Sequence, residues 1–202
     1  IGQAKQEIIR MGEYSVQGLQ AAMQHIDTYD KKHINTATQI EEAINSLDQK
    51  TTEYLVAISK QSLSGHDSKV HNALLENIRD IERIGDHVEN LIELTEFKEN
   101  NGAELSAEAM QELNDMLELV VETVSLAIQS LDKLDVEAAK QALANEDQID
   151  DMERKLRKHH IKRLNDGTCT GSAGVIFVDI ISNLERVGDH AANIAESVID
   201  LK

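Results

Sequence analysis

The sequence predicts an all-α fold of two tandem three-helix bundles, and three observations carry that reading. The 202-residue chain contains no proline, its hydrophobic 41 % includes only 2 % aromatic residues, and its two halves repeat each other. Proline is tolerated at helix starts, in loops and on sheet edges, so its absence favours long helices joined by short turns. A core without aromatics is built from Leu, Ile, Val, Ala and Met, the usual stock of packed helices.

The repeat is explicit in the residues. Met11, Glu13, Val16, Ala22, Asp27 and Asp30 match Met116, Glu118, Val121, Ala127, Asp132 and Asp135 at an offset of 105 (116 − 11). Glu82-Arg83-Ile84-Gly85-Asp86-His87 matches Glu185-Arg186-Val187-Gly188-Asp189-His190 at 103 (185 − 82). Two residues fewer in one connecting turn account for the change, and the halves are expected to share a fold.

Each half reads as three helices. Leu74, Ile78, Ile81, Gly85, Val88 and Ile92 recur at three- and four-residue steps and form one apolar seam. Breaks are expected at Asp27–Lys32, Leu63–Asp67, Glu99–Leu105, Asp132–Asp135 and Asn165–Gly171. Asp30, Ser106 and Asp135 stand where their side-chain oxygens can cap the next helix. The division is residues 1–100 for the first repeat, 101–105 for the linker and 106–202 for the second repeat.

Charge narrows the function. Twenty basic residues against 37 acidic ones give a formal −17, a surface that repels nucleic acid and anionic membranes and suits cations or basic protein patches. Cys169 is the single cysteine, so no internal disulfide can form, which fits a reducing compartment. No signal peptide opens the chain and no apolar run approaches ~18 residues; the longest, Gly174 to Ile181, is interrupted by Asp179. A start at Ile1 rather than Met leads us to expect a domain cut from a longer protein.

The candidate site is a set of carboxylates. At ~100° per residue, Glu82, Asp86 and Glu93 share one helix face, as do Glu185, Asp189 and Glu196. On the preceding helix of the second half, Glu146, Asp150 and Glu153 form a similar stripe; their counterparts are Glu41, Asn45 and Asp48. Hairpins turning near Gly65 and Cys169 bring the stripes together in each half. Facing carboxylates repel unless a cation sits between them or they stay hydrated, so a metal site and a pair of solvated faces are both open. Oxygen-only sites suit magnesium, calcium, manganese and ferrous or ferric iron, with zinc a further candidate. Gly85 and Gly188, inside helices, indicate close helix approach.

Other features are weaker. His87 and His190 lie ~100° off the carboxylate line and read as structural or solvent-facing. The Glu-x-x-His pattern of di-iron bundles, zinc spacing and a Gly-rich phosphate loop are absent. Arg83 and Arg186 read as partners of neighbouring acids, or as anion ligands. The run Arg157, Lys158, His159, His160, Lys162 and Arg163 reads as a solvated helix end favourable to the helix dipole, with a partner contact open. No nucleophile, base and orienting group assemble, so no enzyme is expected.

Glu82-Arg83-Ile84-Gly85-Asp86, Glu185-Arg186-Val187-Gly188-Asp189 and Glu146-x-x-x-Asp150 resemble the E/D-x-x-x-D motifs of PhoU-like proteins, and the resemblance spans essentially the whole chain. It implies phosphate signalling by two three-helix repeats, with metal ions, often clustered, at Glu41, Glu82, Asp86, Glu146, Asp150, Glu185 and Asp189. Asn45 leaves the first set one carboxylate short. Stand-alone PhoU proteins usually carry a Gln-Pro-x-Ala-x-Asp-Leu-Arg-like segment before the first motif, whereas here Leu63 to Lys69 has no proline. Arg163 to Cys169, followed by Phe177 to Glu185, is similar to the C-terminal cytoplasmic domain of bacterial Na⁺/phosphate cotransporters. The resemblance therefore implies a cytoplasmic regulatory domain of an inner-membrane protein, its partner a membrane transporter domain in the same or another chain, with homo-oligomerisation open. The alternative is a stand-alone adaptor that binds a histidine kinase or an ABC transporter.

Overall fold

A computed structural model describes residues 1–202 as six helices. They are α1 (Gly2–Thr28), α2 (Lys31–Ser59), α3 (Gly65–Asn100), α4 (Ala107–Lys133), α5 (Val136–Asn165) and α6 (Gly171–Asp200). Each expected break overlaps a turn, although the one placed at Leu63–Asp67 falls late, since α2 ends at Ser59 and α3 begins at Gly65. Asp30 accepts from Lys32 N at 3.0 Å, Ser106 from Ala109 N at 3.1 Å, and Asp135 from Glu137 N and Ala138 N at 3.0 and 3.1 Å. Ser64 and Thr170 cap α3 and α6 in the same way, although neither was anticipated. The duplication reaches the turns: α1 and α4 both end on a non-glycine residue in left-handed backbone, Tyr29 (φ 47°) and Leu134 (φ 51°), again 105 apart (134 − 29).

Within each half the three helices pack on one another; between halves α1 lies against α4 and α3 against α6. The result is a four-helix layer, α2-α3-α6-α5, backed by α1 and α4. Both central pairs run antiparallel. Along α3 and α6, Asp80 faces His190 and His87 faces Asn183; along α1 and α4, Lys5 reaches Asp132 and Asp27 reaches Asn114. This is a pseudo-twofold arrangement, and it joins the bundles through one core of 43 buried residues. The α3 seam from Leu74 to Ile92 is buried throughout. At Gly12 a side-chain carbon would lie 2.3 Å from Ile128 Cδ1, so that glycine lets α1 and α4 close together.

His87 and His190 sit in the middle of the α3–α6 seam, with ring centroids 5.7 Å apart. His87 Nδ1 and Asn90 Nδ2 donate to Asn183 Oδ1 at 2.8 and 3.2 Å. His190 Nδ1 and Asn193 Nδ2 donate to Asp80 Oδ1 at 2.9 and 3.0 Å. Their offset from the carboxylate line is what aims them at the other half, and burial holds His87 below the usual imidazole range.

One expectation is corrected here. The basic run at the end of α5 is only partly a solvated end: Lys158 and Lys162 are exposed, but two of its members turn inward. Arg163 is 7 % exposed and His160 1 %. The Arg163 guanidinium lies 5.0 Å over the Phe177 ring and donates to Glu112 Oε2 at 2.9 Å, with His159 on the same carboxylate. Its long apolar stem and a carboxylate on α4 draw it inward.

Candidate metal centre

The second repeat brings its acids to one point. Helical spacing of four residues puts Glu146 and Asp150 on the same face of α5, and the adjoining α6 presents Asp189. One carboxylate oxygen from each lies within 4.8 Å of the other two. Two oxygens bound across a single hard cation at ~2.3–2.6 Å lie up to ~5 Å apart, so the triad can share one ion. Gly188 sets this approach: a side-chain carbon there would meet Ile149 Cδ1 at 3.2 Å and Cγ2 at 3.3 Å.

The electrostatics are those of an uncompensated site. Burial and the charges of Asp150 and Asp189 push the Glu146 carboxyl up to about 7. Burial and Asp150 raise Asp189 as well, and burial and Asp189 raise Glu185 at the flank. Asp150 Oδ1 is buried with no hydrogen-bond partner. Arg186, the motif arginine on α6, is exposed and forms no ion pair, and it offsets the charges of Asp189 and Glu185 only weakly. An orphaned oxygen amid like charges fits a cation, and a donor set of carboxylates alone fits a hard one. Glu153 is removed from the stripe by an ion pair with Arg157, which also donates to Ser182 of α6 at 3.1 Å.

The first repeat is built differently. Glu41, Glu82 and Asp86 do not gather into a comparable triad. Asn45 Nδ2 donates to Glu41 Oε1, and the Glu41 charge bears instead on Glu89, which burial and Glu41 raise. Arg83 reaches Asp86 Oδ2 at 3.1 Å and Glu82 Oε2 at 3.8 Å, so this pair has its own counter-charge. Burial and Asp86 still raise Glu82. Glu93 and Glu196, which share the helical line, open instead into grooves between α3 and α6. The different use of Arg83 and Arg186 was beyond sequence reasoning, since both occupy the same motif position.

The PhoU domain family matches the chain twice, over residues 8–95 and 113–198. The chain is 26 % identical over 205 residues to the phosphate-specific transport system accessory protein PhoU homolog 1 of Thermotoga maritima, covering 96 % of this chain and 84 % of that protein. It is 29 % identical over 195 residues to the PhoU homolog of Xylella fastidiosa, covering 96 % and 81 %. The crystal structure of PhoU from Pseudomonas aeruginosa superposes with a TM-score of 0.92 at 21 % identity, covering 99 % of this chain and 95 % of that one. The phosphate transport system regulatory protein PhoU from Streptococcus pneumoniae gives 0.87 at 21 %, covering 99 % and 93 %. With the domain matched in both halves, this chain belongs to the PhoU domain family.

Proposed function

We propose that the protein is a PhoU-type accessory regulator of phosphate transport, without enzymatic activity, that binds a hard cation at Glu146, Asp150 and Asp189. The observation that carries the metal reading is the uncompensated triad, with its orphaned Asp150 oxygen. Glu185 flanks that ion, and Glu41, Glu82 and Asp86 form a second, weaker locus. Magnesium, calcium, manganese and iron match the donor set. The regulatory reading is supported by the relatives, which are accessory proteins of phosphate-specific transport. They favour the adaptor over the cotransporter domain expected from the Arg163–Cys169 and Phe177–Glu185 stretches and the proline-free Leu63–Lys69 segment, and the partners they imply are transporter components. No helix is long and apolar enough to cross a membrane.

Calorimetric titration with Mn²⁺ tests the metal. The parent should show a tight phase that Asp189→Asn weakens by about tenfold or more, while Asp86→Asn alters only a weaker phase. Equal isotherms for both variants would remove the ranking, and no saturable heat in the parent would remove the site. Phosphate uptake in cells lacking the gene tests the regulation: the parent should restore control, and Asp189→Asn should not.

A further inference from the structure

At the outer end of the second bundle, Glu112 of α4 is held by two side chains of α5. Arg163 Nη2 donates to Oε2 at 2.9 Å and His159 Nδ1 to Oε1 at 2.5 Å. Glu108, one turn earlier, lies 3.8 Å from the same guanidinium. Moving back by the repeat offset of 105, Glu112 becomes Glu7 and Glu108 becomes Gln3, while Arg163 becomes Ile58 and His159 becomes Tyr54. The carboxylate has been kept and its cation has not.

The first bundle has an opening of about 520 Å³ at this place, between α1 and α2. Glu7, Gln3, Leu47, Thr51 and Tyr54 line it. Glu7 Oε2 points into it without a hydrogen-bond partner, although the Glu7 side chain as a whole is 45 % exposed, against 14 % for Glu112. Arg10 Nη1 makes only a loose ion pair with Glu7 Oε2, at 3.9 Å and with its side chain 59 % exposed, and Lys50 on the rim makes none.

We propose that this opening receives an arginine side chain of a partner protein, whose guanidinium takes against Glu7 the place that Arg163 takes against Glu112. A guanidinium is planar, donates in pairs to a carboxylate and is weakly hydrated, whereas a lysine ammonium is a strongly hydrated point charge. The Tyr54 ring supplies a face for it to stack on, as Phe177 does for Arg163. The net charge of −17 draws a basic segment to the surface. The opening lies roughly 20 Å along α2 from Glu41, so failure of this proposal leaves the metal reading untouched, and the reverse also holds.

The test is an NMR titration of the whole chain, labelled at alanine and leucine methyls, with N-acetyl-arginine amide. Ala4 and Leu47, which line the opening, should shift saturably. N-acetyl-lysine amide should bind about tenfold more weakly. Glu7→Gln should weaken the arginine titration by about tenfold or more, as one charge-assisted pair is lost. Ile58→Arg should abolish it by filling the opening from within. Unchanged methyl signals elsewhere verify that both variants fold. Shifts that do not saturate, that persist in Glu7→Gln, or that lysine reproduces equally would overturn the proposal.

Discussion

The two repeats share a backbone plan but place their counter-charges at opposite ends. In the second repeat the outer carboxylate, Glu112, has its cations built in, and the motif triad of Glu146, Asp150 and Asp189 has none. In the first repeat the motif pair of Glu82 and Asp86 has Arg83 on it, and the outer carboxylate, Glu7, has an oxygen without a hydrogen bond and only the exposed Arg10 at 3.9 Å. Each half therefore pairs one acidic locus closely and leaves the other with a loose counter-charge or none. The helices and the core repeat, while the outer ends differ at Ile58 against Arg163 and Tyr54 against His159, and the motif sites at Asn45 against Asp150.

The largest effect that would break this comparison lies at the outer ends. Arg163→Ala leaves Glu112, 14 % exposed, without its guanidinium and uncovers the buried Phe177 ring. Losing one partner of a mostly buried pair should cost about 2–3 kcal/mol, at the lower edge of buried pairs because Glu112 retains some water. Ile58→Ala, half-buried at the matching position, should cost about 1 kcal/mol or less. Urea denaturation of both variants checks the ranking. Equal losses would mean that Arg163 contributes no more than its apolar stem.

A second test uses pH. The Glu146 carboxyl titrates near 7 when folded, against 4.5 for the ordinary group. The folded chain thus holds this proton more tightly than the unfolded chain does. The stability this contributes is fully present below about pH 4.5 and is lost as pH rises through about 7. Metal-free protein should melt at a lower temperature at about pH 8 than at about pH 5, and Glu146→Gln should flatten most of that slope. Added Mn²⁺ should raise the melting temperature at the higher pH, because it binds the folded state. Glu82→Gln should change the slope less, since Arg83 already offsets its charge. A slope that survives Glu146→Gln would place the uncompensated charge elsewhere.

The sequence made much of this legible, for definable reasons. Helix limits follow from caps such as Asp30 and Asp135, whose bonds are local, and the α3 seam follows from a period that burial dictates. Glu146, Asp150 and Asp189 could be placed together because the hairpin's register is a matter of counting from its turn. What pairs with what across longer distances could not be read. Arg83 and Arg186 are indistinguishable in the motif, yet only Arg83 forms ion pairs. The inward turn of Arg163 depends on Glu112, 51 residues away on another helix. The His87 and His190 network likewise needs Asn183 and Asp80, which become neighbours only once the halves dock.

The smallest and sharpest test concerns the two motif glycines. A side-chain carbon at Gly85 would meet Ile44 at 3.4 and 3.7 Å, ordinary contact distances. At Gly188 it would meet Ile149 at 3.2 and 3.3 Å, so Ile149 must give way by a few tenths of an ångström. Alanine is favoured over glycine inside a helix by about 1 kcal/mol, a gain available at either position if the neighbour permits it. Gly85→Ala should therefore stabilise the chain by about 0.5–1 kcal/mol. In Gly188→Ala the displacement of Ile149 should offset that gain and leave a change near zero. Ile149 adjoins Asp150 in the chain, so moving it also spreads the triad. Gly188→Ala should then weaken Mn²⁺ binding while Gly85→Ala leaves the tight phase intact. Urea denaturation gives the first difference and calorimetric titration the second. If Gly188→Ala gained as much stability as Gly85→Ala and bound Mn²⁺ like the parent, the close approach of α5 and α6 would not be what builds the site.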